Sequence, residues 1–454
     1  MRASAATEPS PLSAPQPTDP AGPRGPRRLP GWGKAAVSVL GMAAVAAVVL
    51  GLVLWPDGAA APGGAAAAET ASATPGAGSE STTTPQQGPI RVTIAAVGDV
   101  MGVLSVRQAA WDAEAEKYDF YPIFRPVAPY LAGADYAVAN LESRLADPGP
   151  GRYEGIHFLN SPVELGEALK QAGFDLCGLA NNHALDKRFE GIVQTLDRLD
   201  TIGLAHVGCY RSAEDKQERS PFMVDLKGIK VAFINYTDTS NEQPLAAQHK
   251  AYAVNFLGVE AAVAEAKAAR EAGADVVIMM VHWGAERWTR PNGTQWRIAM
   301  GSRDSQGLLA RGVDVILGAH PHVVQPASRV TVQTESGSRD AYVVYSLGNF
   351  LQAASHPWPQ DSGLVVYVHL EKLGDETSVT GLSFLPVMRQ TTKSPLTVRL
   401  LPVLPGLNPQ TDIAIDSATR ARMDKVWDYY QGMYEKPEEN IVPLDPEWLG
   451  AIKE

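Results

Sequence analysis

From residue 91 onward, short apolar runs alternate with longer amphipathic stretches, and this alternation is the feature that most constrains the fold. Strands that alternate with helices form βαβ units, so the sequence predicts an α/β fold with a largely parallel sheet. We interpret seven runs as buried strands, namely 92–98, 135–141, 174–180, 230–236, 275–284, 314–320 and 341–350. Helical patterns fall between several of them, at 161–173, 188–203, 258–272 and 303–312.

The later part of the chain has a different pattern. Runs 363–370, 379–388 and 397–404 follow one another without helices between them, which predicts antiparallel strands. Residues 415–435 have the spacing of an amphipathic helix, and 436–454 are expected to form a polar tail. We therefore expect one domain over 91–404 and a C-terminal extension with one helix over 405–454.

The first 90 residues are expected to attach this domain to a membrane. Residues 1–34 are rich in proline and predict a disordered cytoplasmic tail, and 35–55 are 21 residues without a charge. Such a run spans a hydrocarbon core of about 30 Å, and the basic residues before it predict an N-terminus in the cytoplasm. A cleaved signal peptide is the alternative, although its apolar core is usually only about 7–15 residues long. We expect a single-pass anchor, a flexible linker over 56–90, and an extracellular domain.

Charge and cysteine content exclude two classes of protein. The formal net charge of −11 argues against a general nucleic-acid binder. Two cysteines exclude a disulfide framework and any cysteine-rich zinc module. Cys177 and Cys209 lie in apolar surroundings in the sequence, and we expect both to be buried free thiols.

Polar side chains with metal-binding chemistry follow five of the predicted strands. In open α/β sheets, ligands bind at the edge where parallel strands end. Carboxylates, amides and imidazoles without thiolates suit Mn, Fe or Zn, often as a pair of ions around an attacked centre. In chain order these residues are Asp99, Glu142, Asn181, Asn182, His183, Asp186, His282, Glu286, His320 and His322.

Six motifs in matching order resemble one known family. The series GDVM, NLES, LANNHALD, VHWGAE, GAHPHVVQ and YSLGNF is similar to the capsule-biosynthesis CapA (poly-γ-glutamate synthesis PgsA) family, over about residues 91–370. That family is a branch of the calcineurin-like metallophosphoesterases. The resemblance implies a four-layer α/β sandwich, with two sheets packed face to face and helices outside, and a site for two divalent metal ions.

The resemblance also implies a role for each motif residue. Asp99 and His322 would ligate a first metal, and Glu142 would bridge both metals. Asn182, His282 and His320 would complete the second metal. His183 would act as a general acid with Asp186 as its orienting partner. Asn181, Glu286 and Gln325 would support the ligands or the substrate.

One position departs from the wider superfamily, whose first motif is D-x-H. Met101 stands at the third position here, as is usual in the CapA branch, and a thioether is a poor ligand for hard cations.

Other residues have less specific interpretations. Trp283, Trp288 and Trp296 line a substrate groove or are structural, Arg287 and Arg290 attract an anionic polymer or lie in a solvated loop, and Asn349 is expected to cap a turn. His157, His206, His249, His356 and His369 match no ligand position.

The sequence thus predicts a membrane-anchored, CapA-like hydrolase or transferase that acts on an anionic polymer such as poly-γ-glutamate, or on a phosphoester. Its expected partners are components of capsule synthesis or export. Two alternatives stay open. The first is a non-catalytic subunit that binds polymer or partners, and the second is a cell-envelope phosphatase or phosphodiesterase.

Overall fold

The computed structural model describes residues 88–148, 153, 158–241, 245–334, 337–353, 357–405 and 415–445. In these residues the strands are β1 Ile90–Val100, β2 Trp111–Asp112, β3 Lys117–Tyr118, β4 Tyr136–Leu141, β5 Leu176–Gly178, β6 Ala205–Val207, β7 Phe222–Leu226, β8 Ile229–Thr237, β9 Val276–His282, β10 Gly301–Ser302, β11 Ser305–Gln306, β12 Val315–Ala319, β13 Val324–Thr334, β14 Gly337–Leu347, β15 Asn349–Leu351, β16 Ser362–Leu373, β17 Glu376–Lys393, β18 Leu396–Pro402 and β19 Ile441–Pro443. The α-helices are α1 Leu104–Ala110, α2 Tyr121–Phe124, α3 Ala128–Ala132, α4 Glu164–Gln171, α5 Arg188–Ile202, α6 Ala213–Arg219, α7 Val259–Glu271, α8 Gly293–Met300 and α9 Ser417–Tyr434.

Two mixed sheets contain most of the strands. The first has the order β18-β17-β16-β1-β4-β5-β6, with β15 beside β1 and β19 beside β17. The second has the order β13-β14-β12-β9-β8-β7. All seven predicted runs contain a strand, and the three later runs are antiparallel as predicted. The expected parallel pairing holds at β1-β4-β5-β6 and at β8-β9-β12-β14. The β16-β17-β18 side of the first sheet and both edges of the second sheet are antiparallel.

Alternate side chains of β1 show how the layers pack. Val92, Ile94 and Ala96 belong to a buried cluster that also contains residues of the second sheet, such as Phe233 and Ile278. The intervening residues of β1 face a cluster with the helices α1 to α5, since successive strand residues point to opposite faces. A third cluster joins the outer face of the second sheet to α7 and α8. The protein therefore has an α/β fold, with helices covering the outer faces of two packed sheets.

Two local predictions were wrong. The helix expected over 303–312 is a short hairpin, β10-β11, followed by a 3₁₀ turn at Leu309–Arg311, and the helix of this region is α8 instead. An Asn292 capping box starts α8, because its side chain accepts hydrogen bonds from the amides of Thr294 and Gln295. The expected polar tail instead contains a 3₁₀ turn at Pro437–Glu439 and then β19, which pairs with β17.

The predicted anchor over 35–55, with the tail before it and the linker up to residue 87, lies outside the described residues. Among the described residues, none of the helices combines the length and the apolarity required to cross a membrane. The helix expected over 415–435 is present as α9, whose apolar side packs against β17 and β13.

Candidate metal centre

The predicted ligands meet where strands of both sheets end. Asp99 lies at the end of β1, Glu142 directly follows β4, and Asn182 follows β5. From the second sheet, His282 ends β9, and the other two histidines follow β12. All six side chains are buried, with His320 the most exposed at 8%. The structure therefore brings the residues of separate motifs into one site at the seam between the sheets.

The glycine before Asp99 is required by a close backbone approach. The amide of Asp99 donates to the carbonyl oxygen of Gly348 at 3.0 Å. A Cβ atom at Gly98 would lie 2.0 Å from that same oxygen, which is far inside van der Waals contact. The Gly-Asp pair thus lets β1 run against the chain after β14 while its carboxylate turns into the site.

The two histidines after β12 lie in an unusual turn. His320 and His322 have φ angles of 96° and 57°, in the region that non-glycine residues rarely adopt. This turn presents the amide of His320 to both carboxylate oxygens of Asp99 at 3.3 Å, and the Nδ1 of His322 to Asp99 Oδ2 at 3.0 Å. The two imidazole centroids lie 6.1 Å apart. The two side chains enter the same site because of this strained backbone. Strained residues of this kind concentrate at functional sites.

Glu142 is the most informative side chain in the site. Its carboxylate is fully buried, and neither oxygen has a hydrogen-bond partner among the described residues. An unpaired buried carboxylate is costly unless a cation or a proton accompanies it. Its Oε1 atom lies 3.6 Å from His282 Nε2 and 3.8 Å from His322 Nε2. Glu142 therefore offers two free oxygens in the midst of nitrogen donors.

Two groups of donors share this carboxylate. Glu142, His282 and His320 form one, and Asp99, Glu142 and His322 form the other, each with ligand atoms within 4.8 Å of one another. Asn182 adds an amide oxygen to the group of Glu142, His282 and His320, and this oxygen lies 2.9 Å from His282 Nε2. His320 Nδ1 lies 3.0 Å from the same nitrogen. Buried oxygen and nitrogen donors that crowd together in this way fit divalent metal ions, and the orphaned Glu142 oxygens fit them best.

The protonation of the site is biased by its burial. Burial, followed by the charge of Asp99, raises the pKa of Glu142 well above its usual value. Burial and the neighbouring imidazoles lower the pKa of His282 well below its usual value, and lower that of His320 to about 4. Burial opposes charge on Asp99 and His322 too, but their mutual hydrogen bond prevails, so the pKa of Asp99 is lowered and that of His322 raised. His282 and His320 are thus neutral at pH 7, as metal ligation requires.

His183 has a different environment from the other histidines of the site. Its Nδ1 atom lies 2.5 Å from Asp186 Oδ2, and its Nε2 lies 3.8 Å from Glu142 Oε1. The same Asp186 oxygen accepts a hydrogen bond from the amide of Leu159, which fixes the carboxylate. Asp186 thereby orients the imidazole so that Nε2 faces the shared carboxylate.

Three asparagines of the site were not predicted to be part of it. Asn140 donates to Asp99 Oδ1 at 2.8 Å and lies 3.2 Å from His282 Nδ1. The Asn241 amide nitrogen lies 3.2 Å from His183 Nδ1. Asn349 does not merely cap a turn as expected, since its Oδ1 lies 3.0 Å from His322 Nδ1. The signal for Asn140 was its place in the strand-end motif, two residues before Glu142, whereas Asn241 lies in a loop that follows β8.

The three predicted supporting residues have separate roles. Asn181 donates to the carbonyl of Leu141 at 2.9 Å and so ties the loop after β5 to the strand end before Glu142. Glu286 is exposed, and its charge acts on Glu142 and on both histidines of the β12 turn. Gln325 does not orient a histidine. It donates to the backbone carbonyls of Trp288 and Arg290 at 2.7 and 3.0 Å.

The residues given less specific interpretations also have defined places. Met101 is buried in the apolar cluster beside the helices. Trp283 is fully buried and donates to the Tyr345 carbonyl, so it is structural, whereas Trp288 and Trp296 are exposed. Cys177 and Cys209 are buried free thiols, as predicted. His206, His249 and His369 contact Asp200, Phe189 and Ser383, and His157 and His356 lie outside the described residues.

Residues 93–354 match the family described as "Bacterial capsule synthesis protein PGA_cap". The chain is 29% identical over 294 residues to capsule biosynthesis protein CapA of Bacillus anthracis, covering 63% of this chain and 65% of that protein. It is 29% identical over 280 residues to PGA biosynthesis protein CapA of Bacillus subtilis (strain 168), covering 61% and 67%. The chain thus spans about two thirds of the length of these curated relatives.

Solved structures with a similar fold include two proteins of low sequence identity. A putative 5'-nucleotidase from Staphylococcus aureus has a TM-score of 0.39 and 15% identity, covering 75% of this chain and 59% of that one. The calcineurin-like phosphoesterase YfkN from Bacillus subtilis has a TM-score of 0.35 and 12% identity, covering 81% and 100%. These TM-scores are too low to support a comparison of function.

Proposed function

Because the chain belongs to the bacterial capsule synthesis protein family PGA_cap, we propose that it is a metal-dependent hydrolase or transferase of capsule-polymer biosynthesis. The observation that carries this proposal is the buried Glu142 carboxylate, whose two unpaired oxygens are shared by two groups of donors. A purely structural site would pair these oxygens with hydrogen-bond donors, as buried polar groups generally are.

We assign two divalent ions, Mn, Fe or Zn, to these groups within a four-layer sandwich of the metallophosphatase type. Asp99, Glu142 and His322 would hold the first ion. Glu142, Asn182, His282 and His320 would hold the second. When bound, the ions supply positive charge that polarises an anionic or ester centre and stabilises the charge that develops there.

The protein's own residues would handle the proton. His183 Nε2 faces the site, and its Nδ1 is held by Asp186, so the ring is oriented to donate a proton to a leaving group. Asp186 is a positioning residue, because it acts through the imidazole. The neutral His282 and His320 are left free to ligate.

The setting of the reaction is also part of the proposal. The predicted anchor at 35–55 would place the catalytic domain outside the cell, beside the machinery that synthesises or exports the capsule. An anionic polymer would be the substrate, and poly-γ-glutamate is the polymer that the name of the Bacillus subtilis relative suggests.

One observation favours a second function, that of a non-catalytic binding subunit. Met101 stands two residues after Asp99, where the wider superfamily has a histidine, and it is 4% exposed within an apolar cluster. With a thioether there, the group of Asp99, Glu142 and His322 has one nitrogen donor fewer than it would have with a histidine. Polymer binding at such a site would not require turnover.

Metal content and turnover of the full chain together test the proposal. After equilibration with Mn, Zn or Fe and removal of free ions, mass spectrometry of the metals should find about two ions per chain. The loaded protein should then cleave or transfer poly-γ-glutamate or a phosphoester. A protein that retains no metal would refute the proposed site, and full metal content without turnover on any of these substrates would favour the binding subunit.

A further inference from the structure

A segment beside the metal centre carries exposed cationic and aromatic side chains. It comprises Arg287, Trp288 and Arg290 in the loop after β9, together with Trp296 on α8, and we call it the rim. Trp288 and Trp296 are 58% and 52% exposed, and both arginines are exposed as well. Neither guanidinium has an ion-pair or hydrogen-bond partner in the part of the chain that the structure describes.

The rim is fixed directly to the turn that holds two of the proposed ligands. The amide of Arg287 donates to the carbonyl of Pro321 at 2.7 Å, and Pro321 lies between His320 and His322. Arg287 has a φ angle of 64°, a conformation that non-glycine residues rarely adopt. The backbone of this loop therefore lies directly against the turn that carries His320 and His322.

Two buried amide side chains hold the rest of the rim in place. Gln325 donates to the carbonyls of Trp288 and Arg290, and its own oxygen accepts from Gln295 at 2.9 Å. Gln295, which directly precedes Trp296, also accepts a hydrogen bond from the amide of Asn292 at the start of α8. Gln325 and Gln295 are 0% and 1% exposed. The backbone of the rim is thus held by buried hydrogen bonds, while its side chains face solvent.

The chemistry of the rim is opposite to that of the protein as a whole. The chain carries a net charge of −11, which repels polyanions at long range. Two unpaired arginines in the loop beside the histidine turn offset this repulsion locally. A guanidinium has a planar set of donors that matches a carboxylate, and an exposed indole gives flat apolar contact to the carbon chain between charges.

We propose that the rim binds an extended polycarboxylate chain and feeds it to the metal centre. This inference deepens the proposed function, on which it rests for the presence of an anionic polymer. The arginines would bind successive carboxylates, and the tryptophans would contact the aliphatic part of the polymer between them. The rim is distinct from the proposed ligands, so its effect on affinity can be separated from metal binding.

The test measures the affinity of the full chain for fluorescently labelled poly-γ-glutamate, by polarisation at low and at physiological ionic strength. Arg290→Gln should weaken binding about five- to tenfold, and the double variant with Arg287→Gln further still, because each removes a charge-assisted hydrogen bond. The salt dependence of the affinity should fall with each arginine removed.

The control variants remove the same charge elsewhere. Lys230→Gln, alone and with Lys267→Gln, removes exposed cations at the start of β8 and on α7, and both should bind as the unmodified protein does. Equal affinities for the double arginine variant and the double lysine variant would overturn the proposal. Because Arg287 has a strained backbone, Arg290→Gln alone decides the outcome if the double variant fails to fold.

Two further arms separate this proposal from its alternatives. Polyphosphate of matched charge should bind more weakly than poly-γ-glutamate, and tighter binding of polyphosphate would overturn the assignment to carboxylates. Glu142→Gln should lose metal yet retain polymer binding. If the unmodified chain holds no metal but binds the polymer through Arg290, the proposed function fails while the rim stands. If the unmodified chain binds metal but the rim variants have unchanged affinity for the polymer, the rim proposal fails while the proposed function stands.

Discussion

The Nε2 atom of His183 lies 3.8 Å from Oε1 of Glu142, while Nδ1 of the same ring contacts Asp186. The His183 imidazole thus lies between the Asp186 carboxylate, which orients it, and the Glu142 carboxylate, which the two donor groups share. This relationship separates the residue proposed to move a proton from the residues proposed to hold ions, and it makes the two roles experimentally distinct.

Replacing His183 with alanine should lower turnover by roughly 10²–10⁴-fold, the usual contribution of a general acid, while metal content stays unchanged. Turnover and metal content are measured on the same preparation. His206→Ala is the matched control, because His206 is also buried beside an aspartate but lies outside the site. Normal turnover in the His183 variant would contradict its catalytic role.

Glu142→Gln should remove metal from both groups, because its carboxylate is common to them. His282→Ala should reduce the content by about one ion, since that imidazole belongs to one group. Metal analysis by mass spectrometry gives the stoichiometry. Glu265→Gln serves as control, since that carboxylate accepts hydrogen bonds from Ser220 and Tyr236 away from the site. Full metal content in Glu142→Gln would exclude a bridging role.

Metal affinity should rise with pH. The pKa values of Glu142 and His322 are raised, so both groups retain protons to higher pH than usual, and an ion must displace those protons. Each displaced proton opposes binding below the raised pKa and ceases to do so above it. Calorimetry in buffers of different ionisation enthalpy should detect proton release, and the number of protons released should fall as the pH rises through the raised pKa values. Metal binding without proton release would contradict this account.

Gly98→Ala should destabilise the protein by about 1–3 kcal/mol, as overpacking of a core does, because the new Cβ would meet the Gly348 carbonyl at 2.0 Å. Gly432→Ala, within α9, should instead stabilise by about 0.5–1 kcal/mol, because no atom lies within 4 Å of the new Cβ. Denaturant unfolding compares the two variants. Equal stability of both would show that the close approach at Gly98 is not needed.

Local patterns were sufficient to predict the strands and the residues at their ends. An aliphatic run such as 276–281 is buried on both faces, so its composition alone indicates a central strand. Because parallel strands end at a common edge, the polar residues at or just after the ends of β1, β4, β5, β9 and β12 were expected to meet, and the six predicted ligands do. The resemblance added an expected role for each of them.

Contacts between distant segments were beyond local patterns. Asn349 reaches His322 only because β15 pairs with the end of β1, a pairing across 250 residues that no periodicity reveals. The convergence of His320 and His322 depends on positive φ angles rather than on strand alternation. The misplaced helix at 303–312 had a different cause, since the Asn292 capping box that starts α8 was a legible signal that the prediction did not use.

The origin of the ligands in two sheets has a mechanical consequence. Asp99, Glu142 and Asn182 belong to one sheet, and the three histidines to the other, so any ion that contacts both sets cross-links the layers. By thermodynamic linkage, occupancy then resists separation of the sheets, and loosened packing between them lowers affinity in equal measure. A substitution in the apolar core between the sheets, at Ile94 or Phe233, would thus change how tightly the protein retains metal. The ions would thus hold the two sheets together as well as take part in the reaction.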